Sequence, residues 1–482
     1  MADTQTSSRL GEFGAIVGGR TIHPPSSFEV RNPYDGSPVA VVRNAGPQEV
    51  ERAIAGAAAA FAATRRIPAW KRSMVLETVA RNIEARREEL AQTIALEAGK
   101  PIRTARLEVD RAAFTFHVGG EEARRIHGDI LPLDWLPGTE NREAHIRRVP
   151  LGPIAGITPF NFPLLLVAHK LAPAIAAGNP VIIRPGPRTP VSALTLGQMV
   201  LDAGWPPEAL SVFSCSIEDT ARLVEDERIR LLSFTGSAAV GWALKARAGR
   251  KRVTLELGGN AAVIVHRDAD VAYAAERVAF GGFGYAGQSC ISAQRIYVHD
   301  EVYEAFTADL VRRADALKAG DPLHEDTDLG PVIDAAAADR IGEWIEEATR
   351  AGGRILAGGT RQGSVWRPTV IEAAPAHVRV NCAEVFAPLV SLTRYGDVGQ
   401  AIAAANAGDF GLQAGIFTHD DRVINAAIDG IDAGGIMIND TSTFRVDHMP
   451  YGGVKGSGFG REGLRYAIEE MTEMKLVAYN RR

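Results

Sequence analysis

Cys290 and Glu256 are the side chains of this sequence best suited to covalent chemistry. They bound the stretch ELGGNAAVIVHRDADVAYAAERVAFGGFGYAGQSC. A thiolate can attack an electrophilic carbon, and a nearby carboxylate can then prepare a water. Between them lie an apolar run, 261–265, and a helical segment from about 269 to 280. A strand followed by a helix can bring the two ends back together. Taken alone, a Cys–Glu pair is more often a buried small residue and a surface charge, so the weight rests on the rest of the chain.

Four further motifs carry possible chemistry. Phe234-Thr-Gly-Ser-Ala-Ala-Val-Gly241 follows an apolar strand and opens a helix. A glycine there lets backbone approach a phosphate, and the helix N-terminus favours negative charge. It is not a GxGxxG fingerprint and reads equally well as a tight turn. In Thr158-Pro-Phe-Asn-Phe-Pro163 the amide of Asn161 could donate to a developing oxyanion, although a helix cap is the commoner role. Glu384-Val-Phe-Ala-Pro388 is dense in functional residue types. Pro450-Tyr-Gly-Gly-Val-Lys-Gly-Ser-Gly-Phe-Gly-Arg-Glu462 reads as a loop governed by turn chemistry.

The elements that must position these residues alternate. The chain opens with short strands over 14–45 and a turn at Asn32-Pro-Tyr-Asp-Gly36. A helix starts at Pro47, and further helix is expected over 70–97 and 104–126. Residues 128–148 form a projecting hairpin, which is marginal alone and calls for a partner. The strand at 474–479 could pair with it. From Pro153 to Thr235 apolar strands alternate with helices, the pattern of a parallel sheet covered on both faces, with ligands beyond the carboxyl ends of its strands. A second alternating region runs from Cys290 to about Gly435.

A chain of 482 residues suits two or three domains, and 46% hydrophobic with 23% charged residues argues against disorder. The net charge of −5 speaks against a general nucleic-acid or membrane-surface binder. No apolar run approaches the ~18 residues of a membrane span. The polar start, MADTQTSSRLG, is expected to be a frayed tail rather than a signal peptide. Three scattered cysteines, Cys215, Cys290 and Cys382, without any CxxC pattern, suggest neither a disulfide framework nor a metal site, and make a reducing cytoplasm the default.

In order along the chain, TPFNFP, IIRPGPRTP, FTGSAAVG, ELGG, GQSC, EVFAP and YGGVKGSGFGRE resemble the aldehyde dehydrogenase superfamily over nearly the whole sequence. The resemblance implies an α/β fold with a Rossmann-like cofactor domain (1–127 and 149–257), an α/β catalytic domain (258–449) and a β-hairpin oligomerisation arm (128–148 and 468–482), in a homodimer or homotetramer. It implies Cys290 as nucleophile, with a lowered pKa enlarging its attacking fraction. Asn161 and the Cys290 N–H would hold the oxyanion. Glu256 would be the base that hydrolyses the thioester to a free acid, and Lys170 part of a proton-handling network. NAD or NADP would lie against Thr158, Pro159, Phe160, Arg184, Gly186, Arg188, Phe234, Gly236, Ser237, Val240, Leu257, Gly258, Glu384 and Phe386. Phe160 stands where tryptophan is frequent, and Ala387 where glycine is. Where the common pattern is Lys-Pro-Ser-Glu, this chain has Arg184-Pro-Gly-Pro187, followed by Arg188. The missing carboxylate would otherwise repel a 2′-phosphate, so either dinucleotide remains open.

The same alignment puts Arg111, Phe162, Leu166, His169, Ser289, Ile291 and Arg445 in the substrate tunnel. Arg111, His169 and Arg445 can be cationic, and arginine forks suit carboxylate, phosphate, phosphonate or sulfonate oxygens. The expected substrate is a short aldehyde with an anionic tail, such as phosphonoacetaldehyde. The segment NDTSTFRVDHMPYGG resembles the lactaldehyde, non-phosphorylating glyceraldehyde-3-phosphate and phosphonoacetaldehyde dehydrogenase branch, so lactaldehyde or a semialdehyde is the alternative. Against the anionic reading, the arginines could be ion-paired with Asp110 or Asp447. Two other classes are a cofactor-free thiol hydrolase, which usually needs a histidine beside the thiol, and a dinucleotide-binding protein without turnover.

Overall fold

The computed structural model describes residues 8–481. Residues 1–7, the greater part of the tail expected at the start, lie outside the described residues. Five strands form the parallel centre of an eight-stranded sheet: Ile154–Ile157, Val181–Arg184, Leu210–Val212, Leu231–Thr235 and Arg252–Glu256. They are almost wholly buried, as strands covered on both faces must be. The chain moves outward from 154–157 to 181–184 and 210–212. It then returns to the other side of 154–157 with 231–235 and 252–256. The strand order therefore reverses between Ile154–Ile157 and Leu231–Thr235, where such sheets open a crevice at their carboxyl ends. Asn161 follows one of these strands and Gly236 the other. Antiparallel strands close both edges: Ala15–Val17 with Arg20–Ile22 at one, and Gly458–Phe459 against Glu256 at the other.

Helix Leu165–Ala177 is buried at every residue. Its apolar sequence reflects packing between the sheet and the long helix Ile102–Arg125. The helix expected over 70–97 is two helices, Ala69–Ala85 and Arg87–Ala98, because Arg86 leaves helical geometry (φ −111°, ψ 24°). The second sheet has Ala261–Val265 inside it, flanked by Ala293–His299 and Gln413–Phe417 in parallel. The hairpin Ile130–Pro132 and Arg142–Pro150 is extended by Thr472–Asn480, which pairs antiparallel from Pro150 to Arg142.

Glu256 thus ends a strand of the first sheet, and Ala261 begins a strand of the second. Cys290 sits just before Ala293, at the start of the neighbouring second-sheet strand. The turn entering Cys290 is strained: Tyr285, Ala286 and Gly287 all have positive φ (51°, 51° and 66°). Such strain persists only where the surroundings over-determine it, and it gathers at functional sites. At Gly287 a Cβ would come within 1.9 Å of the Ala387 carbonyl oxygen. Gly287→Ala is therefore expected to cost at least about 1–2 kcal/mol in a urea melt and to displace Cys290. Wild-type stability and activity in that variant would contradict the close approach.

Candidate active site

The carboxyl ends of the first sheet and the turn before Cys290 enclose a cavity of about 750 Å³. Its wall includes Cys290, Glu256 and Asn161. Asn161 is not a helix cap: the following helix begins at Leu165, and the Asn161 Nδ2 donates to the Gln288 carbonyl at 3.0 Å. Gln288 is itself pinned. Its Nε2 donates to the Pro331 carbonyl at 3.3 Å and its Oε1 accepts from the Ile333 N–H at 2.9 Å. Asn161 is thereby tied to the backbone two residues before the sulfur.

The Cys290 Sγ lies 2.8 Å from the Tyr451 Oη. The sequence expectation of a lowered thiol pKa is not met. Burial pushes the Cys290 thiol up to about 11, and the Glu384 and Glu256 carboxylates add to the rise. The Tyr451 hydrogen bond and the Arg445 charge oppose it only in part.

Glu256 is 4% exposed, and neither carboxylate oxygen has a hydrogen-bond partner among the described residues. Burial, and then the nearby charge of Glu462, raise its pKa well above the carboxylate range. The loop carrying Tyr451 presses on it: a Cβ on Gly452 would lie 3.0 Å from the Glu256 Oε1. Glu462 is the opposite case. Burial would raise it too, but Lys170, His169 and Arg445 hold it ionised, well below the usual range. The Lys170 Nζ donates to the Thr235 Oγ1 (2.8 Å), the Ser233 Oγ (3.0 Å) and the Glu462 Oε1 (3.3 Å). Lys170 is thus one layer behind the cavity wall.

Pro159, Phe160, Gly236, Ser237, Leu257, Gly258, Glu384 and Phe386 also line the cavity. The Glu384 Oε1 accepts from the Gly259 N–H at 3.1 Å, and burial lifts its carboxyl to about 7. A Cβ on Gly258 would be 2.3 Å from the Glu384 Oε2, so only glycine fits beside that carboxylate. Phe160 and Phe386 meet edge to face, 5.9 Å between centroids. Thr158, Arg184, Gly186, Arg188, Phe234 and Val240 are not in this wall. Arg188 pairs with Asp334 at 2.9 Å. The Arg184 guanidinium reaches the Cys215 carbonyl at 3.4 Å, and its Nε has no partner among the described residues.

Of the tunnel residues, Arg111, Phe162, Leu166, Ser289, Ile291 and Arg445 line the cavity, and His169 does not. His169 is buried behind the wall, with its Nε2 3.0 Å from Asp447 and its Nδ1 3.1 Å from the Arg445 Nη2. Arg111 pairs with Asp447 through two hydrogen bonds, 3.0 and 2.7 Å. Asp110 bonds Arg87 instead. Arg445 reaches Glu462 at 3.2 Å, while its buried Nε has no partner among the described residues. Sequence reasoning missed Tyr451 and Glu462. Both lay inside the glycine-rich motif, where turn chemistry masked them.

The profile of the aldehyde dehydrogenase family matches residues 22–477. This chain belongs to the aldehyde dehydrogenase family. It is an NAD(P)-dependent aldehyde dehydrogenase, and the α/β architecture is that of the family's solved structures. The dehydrogenase is 42% identical to 3-sulfolactaldehyde dehydrogenase from Priestia aryabhattai, over 98% of this chain and 99% of the relative. It superposes on aldehyde dehydrogenase 21 from Physcomitrella patens, in complex with the reaction product succinate, with a TM-score of 0.96. Identity there is 41%, over 98% of each chain. It also superposes on glyceraldehyde-3-phosphate dehydrogenase from Methanocaldococcus jannaschii, complexed with NADP. In that case the TM-score is 0.91 and identity 35%, over 95% of this chain and 100% of the other. No helix among the described residues is long and apolar enough to cross a membrane.

A thiol pushed up to about 11 gives a pH dependence with a definite sign. In the cofactor-free dehydrogenase, alkylation of Cys290 by iodoacetamide should quicken about tenfold per pH unit between pH 7 and 9, because only the thiolate reacts. A rate that levels off below pH 8 would contradict the burial argument.

Proposed function

We propose that this dehydrogenase oxidises a short aldehyde with an anionic tail to the free acid, with sulfonate, carboxylate, phosphate and phosphonate as the tail chemistries. The observation that carries the reading is Arg445. It is a buried guanidinium in the cavity wall near Cys290, with an Nε–H that no acceptor among the described residues uses. Arg111, a third exposed, supplies a second fork, held in place by Asp447. Both arginines already have a carboxylate nearby, so the tail would share them rather than neutralise free charges. The names of three relatives point the same way: a sulfonated aldehyde, a product dicarboxylate and a phosphorylated aldehyde. Phosphonoacetaldehyde belongs to this class. Lactaldehyde would offer the Arg445 Nε–H a neutral hydroxyl, a weaker acceptor than an anionic tail.

The wall fits a nicotinamide dinucleotide. Glu384 has carboxylate capacity left after its one backbone bond, enough to accept ribose hydroxyls, and Gly236 and Gly258 leave the backbone bare. Bound there, the dinucleotide supplies the acceptor for hydride from the substrate carbon. The protein's residues do the rest. The Cys290 sulfur attacks the aldehyde carbon, and the Asn161 amide with the Cys290 N–H receives the developing negative charge. Glu256, ionised at the moment of hydrolysis, takes a proton from the water that cleaves the thioester. Its raised pKa makes it a stronger base than an ordinary carboxylate. The Lys170 charge behind it favours the ionised form of Glu256. A phenol rather than a histidine beside Cys290 weakens the thiol-hydrolase alternative.

The arm formed by Ile130–Pro132, Arg142–Pro150 and Thr472–Asn480 leaves Ile130, Trp135, Met474 and Leu476 exposed. A dimer or tetramer of this chain would cover them.

The substrate reading is tested with Arg111→Ala. Losing one charge-assisted fork should raise KM for sulfolactaldehyde or succinic semialdehyde by about 10- to 100-fold, leaving propanal nearly unchanged. Equal effects on charged and uncharged aldehydes would overturn it.

A further inference from the structure

Tyr451 is 3% exposed, and its hydroxyl has one hydrogen-bond partner among the described residues, the Cys290 sulfur at 2.8 Å. Its backbone is fixed by two hydrogen bonds to Glu462: the Tyr451 N–H donates at 3.1 Å, and the Glu462 N–H donates back at 2.7 Å. The Arg445 guanidinium carbon lies 3.5 Å from the ring centroid of Tyr451. Arg445 cannot drift from that face, because Glu462 and His169 hold its Nη2 at 3.2 and 3.1 Å. A cation on the ring face draws electron density from the phenol and makes its O–H a stronger donor.

We propose that Tyr451 is a catalytic partner of the nucleophile: its hydroxyl donates to the Cys290 thiolate and stabilises it, with Arg445 stacked behind the ring to strengthen that donor. Tyr451 keeps its own proton throughout. Burial, followed by the adjacent sulfur, pushes its ionisation well above the ordinary tyrosine range, so it acts as a donor and not as a base. The thiol proton leaves to water. Arg445 then has two duties, one toward the substrate tail and one through the ring toward sulfur. The assignment rests on Cys290 being the nucleophile and is independent of the charge of the substrate.

The test reads the sulfur without substrate or dinucleotide. Iodoacetamide alkylates the thiolate: a sulfur–carbon bond forms, the carbon–iodine bond breaks, and iodide leaves. Cys215 and Cys382 are also free, so the Cys290 peptide is followed by mass spectrometry. In the full chain, Tyr451→Phe should move the midpoint of the pH profile up by about one unit. Alkylation at a fixed pH below both midpoints would then be about tenfold slower. Tyr451→3-fluorotyrosine, which keeps the shape and sharpens the donor, should move it down. It also decides the matter if Tyr451→Phe does not fold. An unchanged midpoint in either variant overturns the proposal. So does a lowered midpoint in Tyr451→Phe, which would mean that the phenol accepts from the neutral thiol or merely shields it. Either failure leaves the anionic-substrate reading standing, because no aldehyde enters the experiment.

Discussion

The site depends on a carboxylate held out of water. Both oxygens of Glu256 are buried and have no partner among the described residues, a condition that normally costs more than a fold tolerates unless the group goes neutral. Placing that group at the carboxyl end of a buried strand, facing the cavity that holds Cys290, is what the two sheets accomplish together. The ionised groups around it compensate one another. Lys170, His169 and Arg445 hold Glu462 charged, and His169 and Arg111 do the same for Asp447. Removing one member would strand the charge of its partner, and for a buried pair that costs more than the pair contributes.

On the proposed reading, the same network lets one wall meet both a nucleophile and a charged tail. Arg445 lies over the Tyr451 ring on one side and reaches Glu462 and His169 on the other. Arg111 and His169 share Asp447. If both proposals hold, selectivity for an anion and readiness of the sulfur are coupled through shared side chains, and a change at Arg445 acts on both.

Much of this was legible in the sequence, for a physical reason. The strands of a covered parallel sheet are short apolar runs, and the loops at their carboxyl ends carry the motifs, so motif order follows topology. The pairing of Thr472–Asn480 with the hairpin was legible as well, since two amphipathic strands need a partner. What escaped is set by contacts between residues far apart in the chain. Asn161 is ambiguous between cap and donor until Gln288 is placed beside it. For Arg111 both Asp110 and Asp447 were open as partners, and only the fold chooses Asp447, because a helix turns adjacent residues to different faces. The direction of the Cys290 pKa depends on how deeply the thiol is buried and on two carboxylates from other elements. Spacing along the chain reports neither.

The central claim is that Cys290 is acylated and Glu256 clears it, and intact mass measurement after one turnover tests this directly. With Glu256→Gln, NAD or NADP and an anionic aldehyde, the account predicts one equivalent of reduced nucleotide and a stable acyl adduct that maps to Cys290. Steady turnover by that variant, or an enzyme mass that never changes, would contradict it.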